Sequence, residues 1–268
     1  MSFSLPQGPQ RIVCLTEEPT EILYALGEDH RIVGISAYTE RPPQARKDKP
    51  VVSAFIDGNV SKIVALEADL IIGFSDIQSK LAAKLIAANQ QVLIFNQRSI
   101  QQIFEVIVDI GRLVGRGEKA QELVGQYIQN IEDCQNRAAK RNEQPRVYFE
   151  EWPDPMISGI HWVSELIEIA GGQDIFEDRK AGKLAKERFV TSEEVIAADP
   201  EVFLASWCGK PFDRAQVESR EGWSAISALQ SGRIHEINAC DILQPGPACL
   251  TDGLDALERA IHSHSGRG

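Results

Sequence analysis

The sequence of 268 residues has no long apolar run: stretches such as Leu70-Ile71-Ile72 fall far short of the roughly 20 residues that span a bilayer. It also lacks an excess of positive charge. With 28 basic and 39 acidic residues its formal charge is −11, the wrong sign for gripping a phosphate backbone or an anionic lipid surface. Nucleic acid and membrane insertion are therefore not expected. The first ten residues show neither the basic nor the apolar segment of an export signal, so the chain as it stands reads as cytoplasmic, and as periplasmic only if a leader had been removed. Five cysteines (Cys14, Cys134, Cys208, Cys240, Cys249) are an odd number with no C-x-x-C spacing, which argues against a disulfide framework or a zinc ribbon and for reduced thiols. Signatures of enzymes are missing as well: G-x-G-x-x-G, Gly-Lys-Ser/Thr, H-E-x-x-H and G-x-S-x-G do not occur, so neither catalytic residues nor a catalytic cofactor are expected.

What is present is an alternation of short apolar runs and helical patterns. Arg11 to Leu15, Ile32 to Ile35, Leu70 to Phe74 and Val92 to Phe95 read as strands. Thr20 to Leu26, Val60 to Leu66 and Lys80 to Ala88 read as helices. Such spacing predicts parallel βα units. The second half repeats the first: Arg146-Val147-Tyr148-Phe149-Glu150-Glu151-Trp152-Pro153 echoes Arg11-Ile12-Val13-Cys14-Leu15-Thr16-Glu17-Glu18-Pro19, and Val195 to Leu204 aligns on Ile63 to Ile72 without gaps. A duplicated lobe accounts for both. Between the halves, Ala120, Leu123, Val124, Tyr127, Ile128, Ile131, Cys134 and Ala138 form one apolar stripe over Gly117 to Arg141, a helix of roughly 35–38 Å at 1.5 Å per residue. The expected fold is α/β: two Rossmann-like βα lobes with parallel-rich sheets, residues 1–115 and 143–268, joined by a single long helix over 116–142, with a ligand cleft between the lobes.

These stretches, together with Gly171-Gly172 and the tail Pro245-Gly246-Pro247 followed by Leu250 to Leu254, resemble the ABC-importer substrate-binding proteins whose lobes are linked by one long helix, the class III group carrying cobalamin, iron siderophores and haem. Glu150-Glu151-Trp152, Ser158-Gly159-x-x-Trp162 and Gly171-Gly172 look most like its cobalamin-binding branch. The resemblance implies a monomer that binds a corrinoid without transforming it, with haem or a ferric siderophore as alternative ligands and an ABC permease as partner. It also implies an acidic docking residue on each lobe. The helix after Phe74 opens with Ser79-Lys80 where the first of these is expected.

A corrin ring is broad and apolar at its edge, so rigid aromatic faces suit it. Trp152, Trp162 and Trp207 in the second lobe and Tyr38, Phe55 and Phe74 in the first are the candidates, whereas Trp223, in a helical pattern, reads as core. Glu17, Glu18, Glu150 and Glu151 form paired acidic loops that could accept hydrogen bonds from corrin amides. A carboxylate at Glu18 could equally serve the dipole of the helix behind it. Arg188 and Lys210 are the cations placed to meet an anionic siderophore. His161 is the one histidine beside these signals and the candidate metal ligand. Paired with Glu151, it also leaves open a tetrapyrrole chelatase, an enzyme of similar two-lobed design.

Overall fold

The computed structural model of the chain describes residues 7–54, 56–182 and 184–263. It divides into two compact units, the first ending at Gln126 and the second starting at Tyr127. Each is built on a parallel-rich sheet. In the first, β1 (Ile12–Cys14), β2 (Ile32–Ser36), β3 (Val51–Ala54), β4 (Asp57–Gly58), β5 (Leu70–Phe74) and β6 (Val92–Phe95) lie in the order β4-β3-β2-β1-β5-β6, with only the β3–β4 hairpin antiparallel. In the second, β7 (Arg146–Pro153), β8 (Met156–Ser158), β9 (Gln173–Asp174), β10 (Val202–Ala205) and β11 (Ile234–Glu236) form the path β11-β10-β7-β8. There β9 runs parallel to the start of β7 and β8 antiparallel to its end.

The repeated stretches occupy equivalent places. β1 and β7 are central strands, and β5 and β10 are their parallel neighbours on the side away from the strands that follow β1 and β7 directly. Strands buried on both faces must be apolar throughout, which is why β1, β5 and β10 read Ile-Val-Cys, Leu-Ile-Ile-Gly-Phe and Val-Phe-Leu-Ala. The first core gathers Val13, Leu15, Ile63, Ile71 and Leu81. The second is aromatic: the ring of Tyr148 lies 5.5 Å from that of Phe203 and 6.2 Å from that of Trp223, edge to face, a geometry worth about 0.5–1.5 kcal/mol per pair beyond the area buried.

A helix spans Gly117–Ala138 without interruption. In the first unit, Lys119 Nζ donates to Leu26 O at 2.9 Å. In the second, Asn130 Nδ2 donates to Leu250 O at 2.8 Å, and Arg137 is ion-paired with Glu258 at 2.6 Å. The structure adds the helix Ile100–Leu113, whose buried Ile100, Ile103, Phe104, Ile107 and Ile110 fall at helical spacing, and the short strands β3 and β4.

Candidate functional site

In an open parallel sheet, ligands bind beyond the carboxyl ends of the strands where the strand order reverses, because the loops there diverge and leave a crevice. In the first unit that point lies between β1 and β5. Gln78 ties the two strand ends together: its amide nitrogen donates to Leu15 O at 3.3 Å, and its oxygen accepts from Phe74 N at 2.9 Å. A side chain at Gly73 would put its Cβ 2.3 Å from that oxygen, so the glycine inside an otherwise apolar strand is what admits Gln78. Ser75 then takes φ +63° and ψ 171°, a region costly for any residue with a Cβ and found where a site demands it. The equivalent point in the second unit lies between β7 and β10, where Ser206 N donates to Glu150 O at 3.0 Å.

The loop after β1 turns directly into the helix Glu17–Ala25, so both carboxylates of the first pair fall in its opening turn. Glu17 and Glu18 are buried. Burial pushes Glu17 up to about 8, aided by the charge of Glu18, and pushes Glu18 up to about 7, the Thr16 hydroxyl alongside holding it lower than burial alone would. The loops at the carboxyl ends of the same sheet carry three exposed apolar side chains, Tyr38 after β2, Ile56 after β3 and Ile77 after β5, respectively 51, 56 and 47% exposed. Phe74 is buried at the end of β5 under the guanidinium of Arg98, 5.1 Å from its ring centre. Phe55 lies outside the described residues.

The second pair is arranged differently. Glu150 is buried and takes four donors: Trp207 Nε1 at 3.0 Å and Arg220 Nη2 at 2.9 Å on one oxygen, Arg220 Nη1 at 2.6 Å and Tyr148 OH at 3.1 Å on the other. Glu151 receives both terminal nitrogens of Arg188, which also donates to Ser158 O. Glu150, Glu151 and Arg188, expected to meet a ligand, thus engage one another and the fold, while Arg188 Nε is buried without a hydrogen-bond partner among the described residues. Trp207 is likewise buried, held by Glu150 and packed 5.2 Å from Phe212. Trp162 is corrected outright. It lies 2% exposed within the helix His161–Ile169, with Nε1 donating to Ile242 O at 2.9 Å, and belongs to the core.

Trp152 remains half-buried at the end of β7, its Nε1 bonded to Asp154 O, and Phe189 lies exposed beside β8 through a bridge to Ile157. Lys210 is exposed, its ammonium 5.0 Å from the Trp207 ring centre and 3.3 Å from Gln216 Oε1. His161 sits 3.7 Å from Glu165, one turn further along its helix, and among the described residues no cluster of three His, Cys, Asp or Glu side chains could hold a metal.

Two features escape sequence reasoning. The turn Asp76–Gln78 precedes the helix Ser79–Ala87, so Asp76 supplies an exposed carboxylate just ahead of Ser79-Lys80. A cavity of about 720 Å³ opens at the opposite, amino edge of the second sheet, lined by Arg141, Arg233 and His262 among others. Its polar groups have structural work: Arg233 donates to Ile261 O and His262 bonds Ala170 O, satisfying carbonyls at helix ends.

Compared with known proteins, residues 12–239 match the model of the periplasmic binding protein family. The chain belongs to that family. Its relatives include the uncharacterized ABC transporter substrate-binding lipoprotein YvrC of Bacillus subtilis, 26% identical over 97% of this chain and 82% of that one, and the vitamin B12-binding protein of Vibrio cholerae, 27% identical over 95% of this chain and 88% of that one. A periplasmic heme-binding protein of Pseudomonas aeruginosa shares the fold at a TM-score of 0.78 and 21% identity, covering 95% of this chain and 93% of that one. Members of this family bind small molecules and hand them to a permease. The cytoplasmic location expected from the first ten residues is overturned by these relatives, which are a lipoprotein and members of a periplasmic family and point to a location outside the cytoplasm. Among the described residues no helix is long and apolar enough to cross a membrane.

Proposed function

We propose that the protein is the substrate-binding component of an ABC importer for a corrinoid, which it binds without changing it chemically; the candidate groups lie at the carboxyl edge of each sheet. The observation that carries this reading is the charge left at those edges. In the second unit the guanidiniums of Arg188 and Arg220 are committed to Glu151 and Glu150. In the first unit the site holds buried carboxyls that burial keeps from ionising readily. Haem carries two carboxylates and ferric siderophores are commonly anionic, and either would bring negative charge toward acidic groups at a desolvation cost that a free cation normally offsets. A corrinoid presents carboxamides around its rim instead, which suit protonated carboxyls as hydrogen-bond partners. The exposed apolar side chains of Tyr38, Ile56 and Ile77 in the first unit, and separately those of Trp152 and Phe189 in the second, suit the edge of a macrocycle. The Vibrio cholerae relative binds vitamin B12 and covers nearly the whole chain.

Calorimetric titration with cyanocobalamin, and separately with haemin and a ferric catecholate, tests the assignment. One cyanocobalamin per chain, bound at least tenfold more tightly than either competitor, is the expected result. No binding of cyanocobalamin below about 1 mM, an interaction of only about −4 kcal/mol, refutes it.

A further inference from the structure

The end of β7 carries an extra residue. Glu150 pairs with Ser158 of β8 and Trp152 with Ile157, so the chain takes two steps on β7 for one on β8, and Glu151 forms a β-bulge. Because side chains alternate between the faces of a strand, this insertion decides which face Trp152 takes. In an even register Glu151 would stand opposite Ile157, and Trp152 would fall to the other face, opposite Met156. With the bulge, Trp152 shares the face of Ile157.

The row continues beyond β8. Ile157 also pairs antiparallel with Phe189. The bond from Val190 N to Met156 O at 3.0 Å, one residue away, makes this a non-hydrogen-bonded pair, the kind whose side chains approach more closely. Residues directly opposite each other on neighbouring strands lie on one face. Trp152, Ile157 and Phe189 therefore form one apolar row, with Ile157 buried between a half-buried Trp152 and an exposed Phe189. Two aromatic side chains flanking an aliphatic one make a platform for a flat apolar edge.

A bulge interrupts the ladder and so needs support from outside it. Here the support is Arg188. Both its terminal nitrogens donate to the Glu151 carboxylate, and Nη1 donates as well to Ser158 O on β8. Its own carbonyl accepts from Ser158 Oγ at 3.1 Å. A guanidinium is planar and forked, so it fixes direction as well as charge. Arg188 is only 2% exposed, whereas Phe189, next to it in the chain, is 41% exposed. A cation buried in this way, with both termini on the hairpin, is placed to hold the hairpin.

We infer that Arg188 is a positioning residue: by pinning the bulge at Glu151 to β8, it keeps Trp152 on the face of Ile157 and Phe189, where the three form a platform for the edge of the macrocycle. For its ligand class this rests on the corrinoid reading. The effect of Arg188 on affinity then passes through Trp152.

Calorimetric titration with cyanocobalamin of four whole chains separates positioning from a merely structural role: the parent, Trp152→Ala, the pair Arg188→Met with Glu151→Gln, and all three substitutions together. Removing both charges at once leaves neither ion buried alone, the change that buried pairs tolerate best. Trp152→Ala and the charge-free pair are each expected to weaken binding about tenfold, and all three together no more than about twofold beyond Trp152→Ala alone. Arg188→Lys, which keeps the charge and loses the fork, is a second perturbation with the same expected pattern. Losses that multiply to about a hundredfold, or undiminished affinity in both the charge-free pair and Arg188→Lys, overturn the inference and leave the corrinoid reading intact. Absence of binding by the parent overturns both.

Discussion

The two sheets end in the same short signature, a pair of adjacent glutamates after a central strand, and the two pairs meet opposite fates. Glu150 and Glu151 lie against Arg220 and Arg188 and accept hydrogen bonds from both terminal nitrogens of each guanidinium. Glu17 and Glu18 have been folded into the opening turn of a helix, where burial pushes both carboxyls up, to about 8 and about 7. A repeated motif thus fixes where a group sits, while groups contributed from elsewhere in the chain fix what surrounds it.

The sharpest way to break this comparison is to remove the cation from the ion-paired side. Arg220→Met leaves Glu150 as a buried charge without its partner and should destabilise the protein by about 3–5 kcal/mol in urea unfolding. Adding Glu150→Gln should recover part of that loss. A cost below 1 kcal/mol for the single variant would mean that the ion pair is not what holds Trp207 and Tyr148 in place.

Glu18→Gln should act in the opposite sense. The carboxyl of Glu18 is raised from its ordinary 4.5 to about 7, so the stability it contributes is fully present below pH 4.5 and is lost as the pH rises through 7. The parent should therefore melt at a lower temperature at pH 9 than at pH 6. The glutamine variant should exceed the parent at pH 9 by about 1–3 kcal/mol, with the gain vanishing toward pH 5. Equal stabilities at both pH values would show that Glu18 is satisfied as an anion in the folded protein.

Trp152 and Trp162 separate site from core within one unit. Trp152→Ala should weaken cyanocobalamin binding about tenfold with little change in stability, as loss of an aromatic face at the rim implies. Trp162→Phe should leave binding unchanged and cost about 1–2 kcal/mol of stability for the lost bond to Ile242 O and the reduced packing.

Much of the framework is legible in the sequence because it rests on local pattern. The echo of Arg11–Pro19 in Arg146–Pro153 reports the equivalence of β1 and β7, and the gapless match of Ile63–Ile72 with Val195–Leu204 reports that of β5 and β10. The chemistry of the site is less legible because it depends on partners distant in the chain. Arg188 lies 37 residues from Glu151 and Arg220 lies 70 from Glu150, and nothing in either acidic loop announces them. Trp162 misleads for a different reason. Ser158-Gly159 suggests a loop, yet Trp162, Val163, Leu166 and Ile167 fall on one helical face, and that stripe, which buries all four, is the stronger signal. Gly73 is the one mark of Gln78 that the sequence carries, a glycine inside a strand where another side chain must pass.

A structure of the protein crystallised with cyanocobalamin near pH 6 tests the contrast between the two edges most directly. The account predicts carboxamides of the corrin within hydrogen-bond distance of Glu17 and Glu18, with the pairs Arg220–Glu150 and Arg188–Glu151 unbroken. Carboxamides bound instead to Glu150 or Glu151, with either arginine displaced, would contradict it.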